Sequence, residues 1–175
     1  MSIYEFENRK PTYGKGTFIF QSADIIGDVI IGKNCYIGPG ARIRGDYGSI
    51  KIGDNTAVEE NVVIHARPGE ITTIGSNVTI GHSSIIHNAT IHDWAVIGMG
   101  AIVSDWAEIG KWAVVAEGAV VKNKQKIPNK KIAVGIPAKI VSTISSEYEK
   151  QWSEYKKIYA DLASKRFPKF LKKIE

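Results

Sequence analysis

Four histidines occur in 175 residues: His65, then His82, His87 and His92 within the single stretch IGHSSIIHNATIH, residues 80–92. Neutral imidazoles bind divalent transition metals, and three of them with one open position make a catalytic rather than a structural metal site. Near them in the chain stand groups that handle charge and protons: Arg44 and Asp46 in RGD, and Glu59 and Glu60 in VEENVVIH. Such a set could acidify a water molecule, take its proton and hold the anion that forms. Whether it can do so depends on an architecture that gathers residues 44 to 87.

That architecture is written as an internal repeat of six. From Ile25 the chain reads IIGDVI, IGKNCY, IGPGAR, and from Ile74 IGSNVT and IGHSSI; after one five-residue unit, IHNAT, it resumes with IHDWAV, IGMGAI, VSDWAE, IGKWAV and VAEGAV. An aliphatic residue opens each unit, glycine often follows, and a small residue usually takes the fifth place. Six is the period of neither a helix nor a single strand. It fits a short strand followed by a corner: the aliphatic residue points inward, the small residue fits the corner, and glycine eases the turn. Stacked coils of this kind make an all-β solenoid, a parallel β-helix whose coils bury their aliphatic rows against one another.

With three strands per coil, residues about 18 apart stack vertically, and departures from that count are insertions. Ile43, Ile64 and Ile86 then share an inner edge, with three residues inserted around GDYGSIKIG and four in HARPGEITT. The residues that follow them, Arg44, His65 and His87, form an outward ladder. Coils lie about 4.8 Å apart, and two nitrogens on tetrahedral zinc about 3.3 Å apart, so His65 and His87 can converge on one ion. His82 belongs to the preceding face, and a threefold trimer would bring it from a neighbouring subunit. His92 lies on a different face and is not expected to be a ligand.

The motifs RGD (Arg44–Asp46), ENVVIH (Glu60–His65) and GHSSIIH (Gly81–His87), with the Gly-x-Pro-Ala-Lys turn at Gly135–Lys139, resemble the gamma-class carbonic anhydrases and their relatives. That resemblance covers nearly the whole chain. It implies a left-handed parallel β-helix, a homotrimer with metal sites between subunits, and His65, His82 and His87 as ligands to zinc, with iron or cobalt as alternatives. It implies reversible hydration of CO2 to bicarbonate by a zinc-bound hydroxide, with Arg44 holding bicarbonate and Asp46 pairing to the guanidinium. Glu59 stands where the best-known pattern has Gln; Glu60 matches a family acid and is the weaker proton-handling candidate. The long acidic loop of one branch is absent, Glu70 being the sole acid in ARPGE and Tyr47 replacing another glutamate. Relatives with so short a loop include proteins of carnitine and phenylacetate operons, so a CoA-thioester hydrolase or hexapeptide acyltransferase, or a metal-binding trimer with little turnover, stands as the alternative.

Beyond Val121 the rhythm gives way to a basic, proline-punctuated connector and then to SSEYEKQWSEYKKIYADLASKRF, which has helical periodicity. Ser146 with Glu149 suggests a capping box, and Tyr148, Trp152, Tyr155, Tyr159 and Leu162 form one stripe expected to lie along the prism. The expected organisation is a β-helix domain over residues 1–141 and a C-terminal α-helix packing on it over residues 142–175. Net charge is +5, but residues from Lys122 onward carry +9 and residues 1–121 carry −4. The basicity is that of a solvated helical tail, and no nucleic-acid partner is expected. No run is apolar and long enough to span a membrane, no signal-peptide h-region is evident, and the single Cys35 has no internal partner, which together lead to an expected cytoplasmic location.

Overall fold

Three columns of aliphatic side chains run the length of the molecule, one on each inner face of a triangular prism. Ile25, Ile43, Ile64, Ile86, Val103 and Val121 stack in register on the first face. Ile31, Ile52, Ile74, Ile91, Ile109 and Ile127 stack on the second. Ile19, Ile37, Val58, Ile80, Ile97, Val115 and Ala133 stack on the third. All are buried, and each large aliphatic contributes about 1.5–3 kcal/mol by leaving water. The fifth-place residues, among them Cys35, Ala95, Ala101, Ala113 and Ala119, are sealed inside the corners. The structure, a computed structural model, describes residues 2–174. It is a parallel β-solenoid of about seven turns with a C-terminal helix, matching a hexapeptide-repeat left-handed β-helix.

The insertions fall where the count along the chain places them. Gly27 pairs with Gly45 but Val29 pairs with Ile50, so three extra residues bulge out just after Arg44. Ile64 pairs with Ile86, 22 residues on, whereas Ile74 pairs with Ile91, only 17 on, so the second insertion is the loop after His65.

Glycine acts differently from the expectation. In the second slot it does not make the turn: a Cβ on Gly53 would lie 2.6 Å from the backbone of Gly75 and Ser76 in the next coil, so glycine there permits close approach of coils. The turn is made two residues later, where Asn34, Asn55 and Asn77 adopt φ of 53°, 54° and 56°. Asn tolerates this left-handed conformation because its short side chain hydrogen-bonds locally. Trp94, Trp106 and Trp112 occupy equivalent corners at φ of 65°, 58° and 59°. Trp94 and Trp112 stack with ring centroids 4.9 Å apart, which offsets part of the strain.

The repeat also runs further than Val121. Ile127 stacks under Ile109 and Ala133 under Val115, so the connector builds the last coil, with Pro128 in a slot elsewhere held by glycine. The strand Lys139–Thr143 then pairs antiparallel with Lys131–Val134 and caps the stack; it spans the expected domain boundary at residue 141.

The C-terminal helix α1 (Ser146–Asp161) is capped by Ser145, whose hydroxyl accepts from the Tyr148 N–H; this corrects the expected Ser146 capping box. Glu149 is engaged elsewhere, in an ion pair with Lys130 at 2.6 Å. The contact stripe is also shifted. Tyr159, Ala163 and Phe167 pack on Phe18, Phe20, Tyr36 and Ala57 of the third face, and Lys156 is buried one turn earlier. Tyr155 lies off that stripe, 46% exposed, with its hydroxyl accepting from Gln151.

Candidate metal centre

Arg44, His65 and His87 are direct neighbours on successive coils of the first face. Each follows a buried isoleucine, so strand alternation turns it outward, and a one-residue slip would bury all three. The two imidazoles approach edge to edge, with His65 Nδ1 and His87 Nε2 3.2 Å apart. Each ring's other nitrogen lies within hydrogen-bond distance of a carboxylate, which can only accept when ionised: His65 Nε2 is 2.9 Å from Asp46 and His87 Nδ1 is 2.5 Å from Asp105.

Both carboxylates are held in turn by an arginine. Arg44 donates to the second oxygen of Asp46, and Arg67 donates to the second oxygen of Asp105 at 3.0 Å. Burial opposes the charge on Asp46, but the His65 hydrogen bond, the Tyr47 N–H and the Arg44 guanidinium hold its carboxyl below the usual carboxylate range. Arg9, from the N-terminal segment, donates to the main-chain carbonyl of Asp46 and fixes the bulge that carries it. Arg67 also lies over the Trp106 ring, 5.1 Å from its centroid. Beside Arg44 and His65 a shallow cavity of about 270 Å³ opens on the first face, lined also by Asp24, Ile26, Arg42 and Val63.

His82 sits at the corner after the strand Thr79–Ile80, away from this pair. Its Nε2 lies 3.1 Å from Glu59 and its Nδ1 2.5 Å from Glu60. Glu59 also accepts the His82 main-chain N–H at 3.2 Å. Tyr36 donates to the other oxygen of Glu60 at 2.5 Å. Against the cost of burial, the Tyr36 hydroxyl, the residue's own N–H and His82 keep the Glu60 carboxyl below its ordinary range. The C-terminal helix packs against this corner, with the Tyr159 ring centroid 5.3 Å from that of Tyr36, and burial and the nearby Glu59 push the Tyr159 phenol up. Among the described residues no three His, Cys, Asp or Glu side chains of one chain gather as a metal cage. His65 and His87 therefore come together within one chain, and His82 with Glu59 and Glu60 stands apart from them.

His92 pairs with Glu108 at 3.2 Å on another face. Glu70 is committed to structure, accepting from Asn88 at 2.5 Å and from Trp106 Nε1 at 2.7 Å. Tyr47 is 63% exposed. Asp105 and Arg67 are the site residues that sequence reasoning missed. A signal was present: Asp105 lies 18 residues beyond His87, one nominal coil. The five-residue unit IHNAT shifts the strand register by one there, pairing Ile86 with Val103, so Asp105 reaches His87 from a corner and not from a strand slot.

Comparison with known proteins places the fold among hexapeptide-repeat proteins. Two family descriptions match: "Bacterial transferase hexapeptide (six repeats)" over residues 14–45 and "Hexapeptide repeat of succinyl-transferase" over residues 71–105. Gamma carbonic anhydrase 2, mitochondrial, of Arabidopsis thaliana is 38% identical over 169 residues, 93% of this chain; the chain spans 60% of that protein's length. Carnitine operon protein CaiE of Escherichia coli is 34% identical over 166 residues, covering 94% of this chain and 84% of CaiE. Among solved structures, a hexapeptide transferase family protein from Anaplasma phagocytophilum superposes with a TM-score of 0.88 at 33% identity, over 93% of this chain and 96% of that one. An acetyltransferase candidate from Bacillus cereus gives 0.91 at 33% identity, over 93% and 95%. The chain belongs to the gamma-carbonic-anhydrase-like family of hexapeptide-repeat proteins.

Proposed function

We propose that this protein is a metal-dependent carbonic anhydrase whose sites lie between the subunits of a homotrimer. One observation carries the reading. His65 Nε2 and His87 Nδ1 each donate to an aspartate, so His65 Nδ1 and His87 Nε2 face each other as two lone pairs at 3.2 Å. Two facing lone pairs repel unless a cation lies between them. Their separation is close to the roughly 3.3 Å expected for two imidazole nitrogens on tetrahedral zinc. The residues present fit zinc, and they fit iron or cobalt equally well, since all three accept imidazole.

His82 of a neighbouring subunit supplies the third nitrogen. Glu60, fixed by Tyr36, orients that ring through Nδ1, which leaves Nε2 for the metal and places Glu59 beside it. Half-exposed Val63 and Ile85 flank the histidine column on the first face and give a partner subunit apolar surface to cover. A divalent metal on three neutral imidazoles lowers the pKa of water to about 7, which supplies the nucleophile for CO2. Glu59 takes up the released proton, Arg44 attracts the bicarbonate charge, and Asp46 keeps both Arg44 and His65 in place.

The test is metal content per chain together with CO2 hydration on one preparation, before and after chelation and after zinc, cobalt or ferrous iron is restored. The reading expects about one metal per chain and metal-dependent hydration. His87→Ala is expected to lose both the metal and at least 100-fold in rate while the trimer persists. Hydration that survives complete metal removal refutes it. A second reading, chemistry on a CoA thioester, is favoured by the acetyltransferase and CaiE relatives. Bound metal with thioester turnover and no hydration would select it, and bound metal with neither activity leaves a metal-stabilised assembly.

A further inference from the structure

The site contains the same device twice. In the first, Arg44 holds one oxygen of Asp46 and His65 donates to the other. In the second, Arg67 holds one oxygen of Asp105 at 3.0 Å and His87 Nδ1 lies 2.5 Å from the other. The second is assembled from the inserted loop after His65 and from the corner of the following coil. It is also the more heavily braced. Arg67 stacks over Trp106, its main-chain N–H donates to the Asn88 side chain, and Asn88 and Trp106 are tied together through Glu70.

We propose that Asp105, aimed by Arg67, is a positioning residue that keeps the proton of His87 on Nδ1 and so leaves Nε2 as its metal-binding atom. The inference rests on the metal reading above for its consequence, but its structural content, the tautomer of His87, does not need the metal. A ring nitrogen that carries a proton cannot bind a metal ion, and partners that fix the tautomer of a ligating histidine typically change metal affinity 10- to 100-fold. The loop after His65 thereby acquires a role other than proton export: it supplies the arginine that decides which way a carboxylate faces.

The role of Arg67 gives a sharp consequence. In Asp105→Asn the amide has one acceptor oxygen and one donor nitrogen. Arg67 can only donate, so it claims the oxygen and turns the NH2 toward His87 Nδ1. That nitrogen must then accept, and the ring proton moves to Nε2, the atom needed for the metal. Removing Arg67 as well, in Arg67→Met/Asp105→Asn, frees the amide to flip and present its oxygen to His87 again. The double variant should therefore bind metal better than Asp105→Asn alone.

Two measurements on the full-length protein test this. Nitrogen-15 NMR of the histidine rings in metal-free wild type, above the pH at which the rings are doubly protonated, should find His87 protonated on Nδ1, and in Asp105→Asn on Nε2; a proton on Nε2 with none on Nδ1 in wild type overturns the proposal and requires no variant to fold. Cobalt and zinc affinity by chelator competition should fall 10- to 100-fold in Asp105→Asn, with an altered cobalt(II) visible spectrum and unchanged trimer elution and metal-free melting temperature. Recovery of severalfold is expected in the double variant. Affinity within twofold of wild type in Asp105→Asn, or a further loss in the double variant, refutes it. If wild type takes up neither metal, the carbonic anhydrase reading fails, and the ring-proton measurement still decides whether Arg67 and Asp105 set the tautomer.

Discussion

Lys156 is a buried amine on the inner side of the C-terminal helix, 4% exposed, and its removal has a definite pH signature. Its ammonium donates to Thr79 Oγ1 at 3.0 Å and to the Ala95 carbonyl at 3.1 Å, and sits 5.5 Å from the Trp152 ring centroid. Burial brings its pKa down from 10.5 to about 7, with Glu59 opposing the change. Between about pH 7 and pH 10.5 the unfolded chain thus holds a proton that the folded chain has released. More protons on the unfolded side means that stability rises with pH, by up to about 1.4 kcal/mol per unit. From pH 7 to pH 9.5 that amounts to about 3 kcal/mol, or roughly 6–12 °C in melting temperature for a chain of this size. The window stops at pH 9.5 because Tyr36, Tyr148 and Tyr159, whose phenols are pushed up by burial, reverse the slope once unfolded tyrosine ionises near pH 10. The assay is thermal melting at fixed protein concentration in wild type and Lys156→Met. Methionine keeps the length and apolar contacts and removes the titrating group; any hydrogen bond lost from Thr79 is independent of pH. The stability advantage of Lys156→Met over wild type should shrink by about 3 kcal/mol as pH rises across the window. Parallel pH profiles for the two proteins would refute the argument that this amine is desolvated.

Gly53→Ala should be costly, because its Cβ meets backbone atoms 2.6 Å away in the next coil, whereas Gly118→Asn, at φ 63° with open space around it, should be nearly neutral. A loss of more than about 2 kcal/mol for the first and under about 0.5 kcal/mol for the second, read by denaturant titration, is the expected pair of results. Metal at 100 times its dissociation constant should stabilise the assembly by about 2.7 kcal/mol, and chelation should reverse the gain in melting temperature; no change on chelation of a loaded sample would count against a metal between subunits. Glu70→Gln should leave CO2 hydration within twofold of wild type while lowering stability by about 1–2 kcal/mol, since the carboxylate is occupied by Asn88 and Trp106. A large fall in rate with unchanged stability would restore Glu70 as a proton carrier.

The coil architecture was legible because its signal is repeated. Every unit restates the inward aliphatic and the small corner residue, so the columns through Ile64, Ile74 and Ile80, and even the positions of the two insertions, follow from counting. The adjacency of Arg44, His65 and His87 came with it, since a register correct at Ile43 and Ile64 is correct one residue later. What escaped depends on features that do not repeat. The last coil was hidden because Lys126–Lys131 replaces the usual glycine and small residue with lysine and proline, although the six-residue interval from Val121 to Ile127 to Ala133 persists. The helix stripe differs because aromatic spacing selects Tyr155, while the face that packs includes Lys156, a residue type ordinarily left in solvent. Arg67 and Asp105 were missed because corner and loop side chains reach across coils by their own length, which no strand register records.

The commitment of Glu70 changes where the proton problem of this site must be solved. The loop after His65 is the brace for the His87 carboxylate, and Tyr47 is an exposed phenol. The carboxylates left near a site completed by His82 are Glu59 and Glu60, and they are not equivalent. Glu60 has one oxygen bound by Tyr36 and the other by His82, and it is held ionised by them. Glu59 has a main-chain N–H and a histidine nitrogen on the same oxygen, Oε2. When that nitrogen turns to a metal, Glu59 loses its histidine partner and keeps the N–H, with the Tyr159 phenol beside it, so on the proposed reading it is the carboxylate released to take a proton. On the proposed function, proton transfer out of the site is therefore expected to converge on Glu59. Glu59→Gln, which keeps the shape and the N–H contact, should slow hydration at least tenfold without loss of metal, and added imidazole buffer should restore part of the rate. Full activity in Glu59→Gln at low buffer concentration would show that the proton leaves by another route.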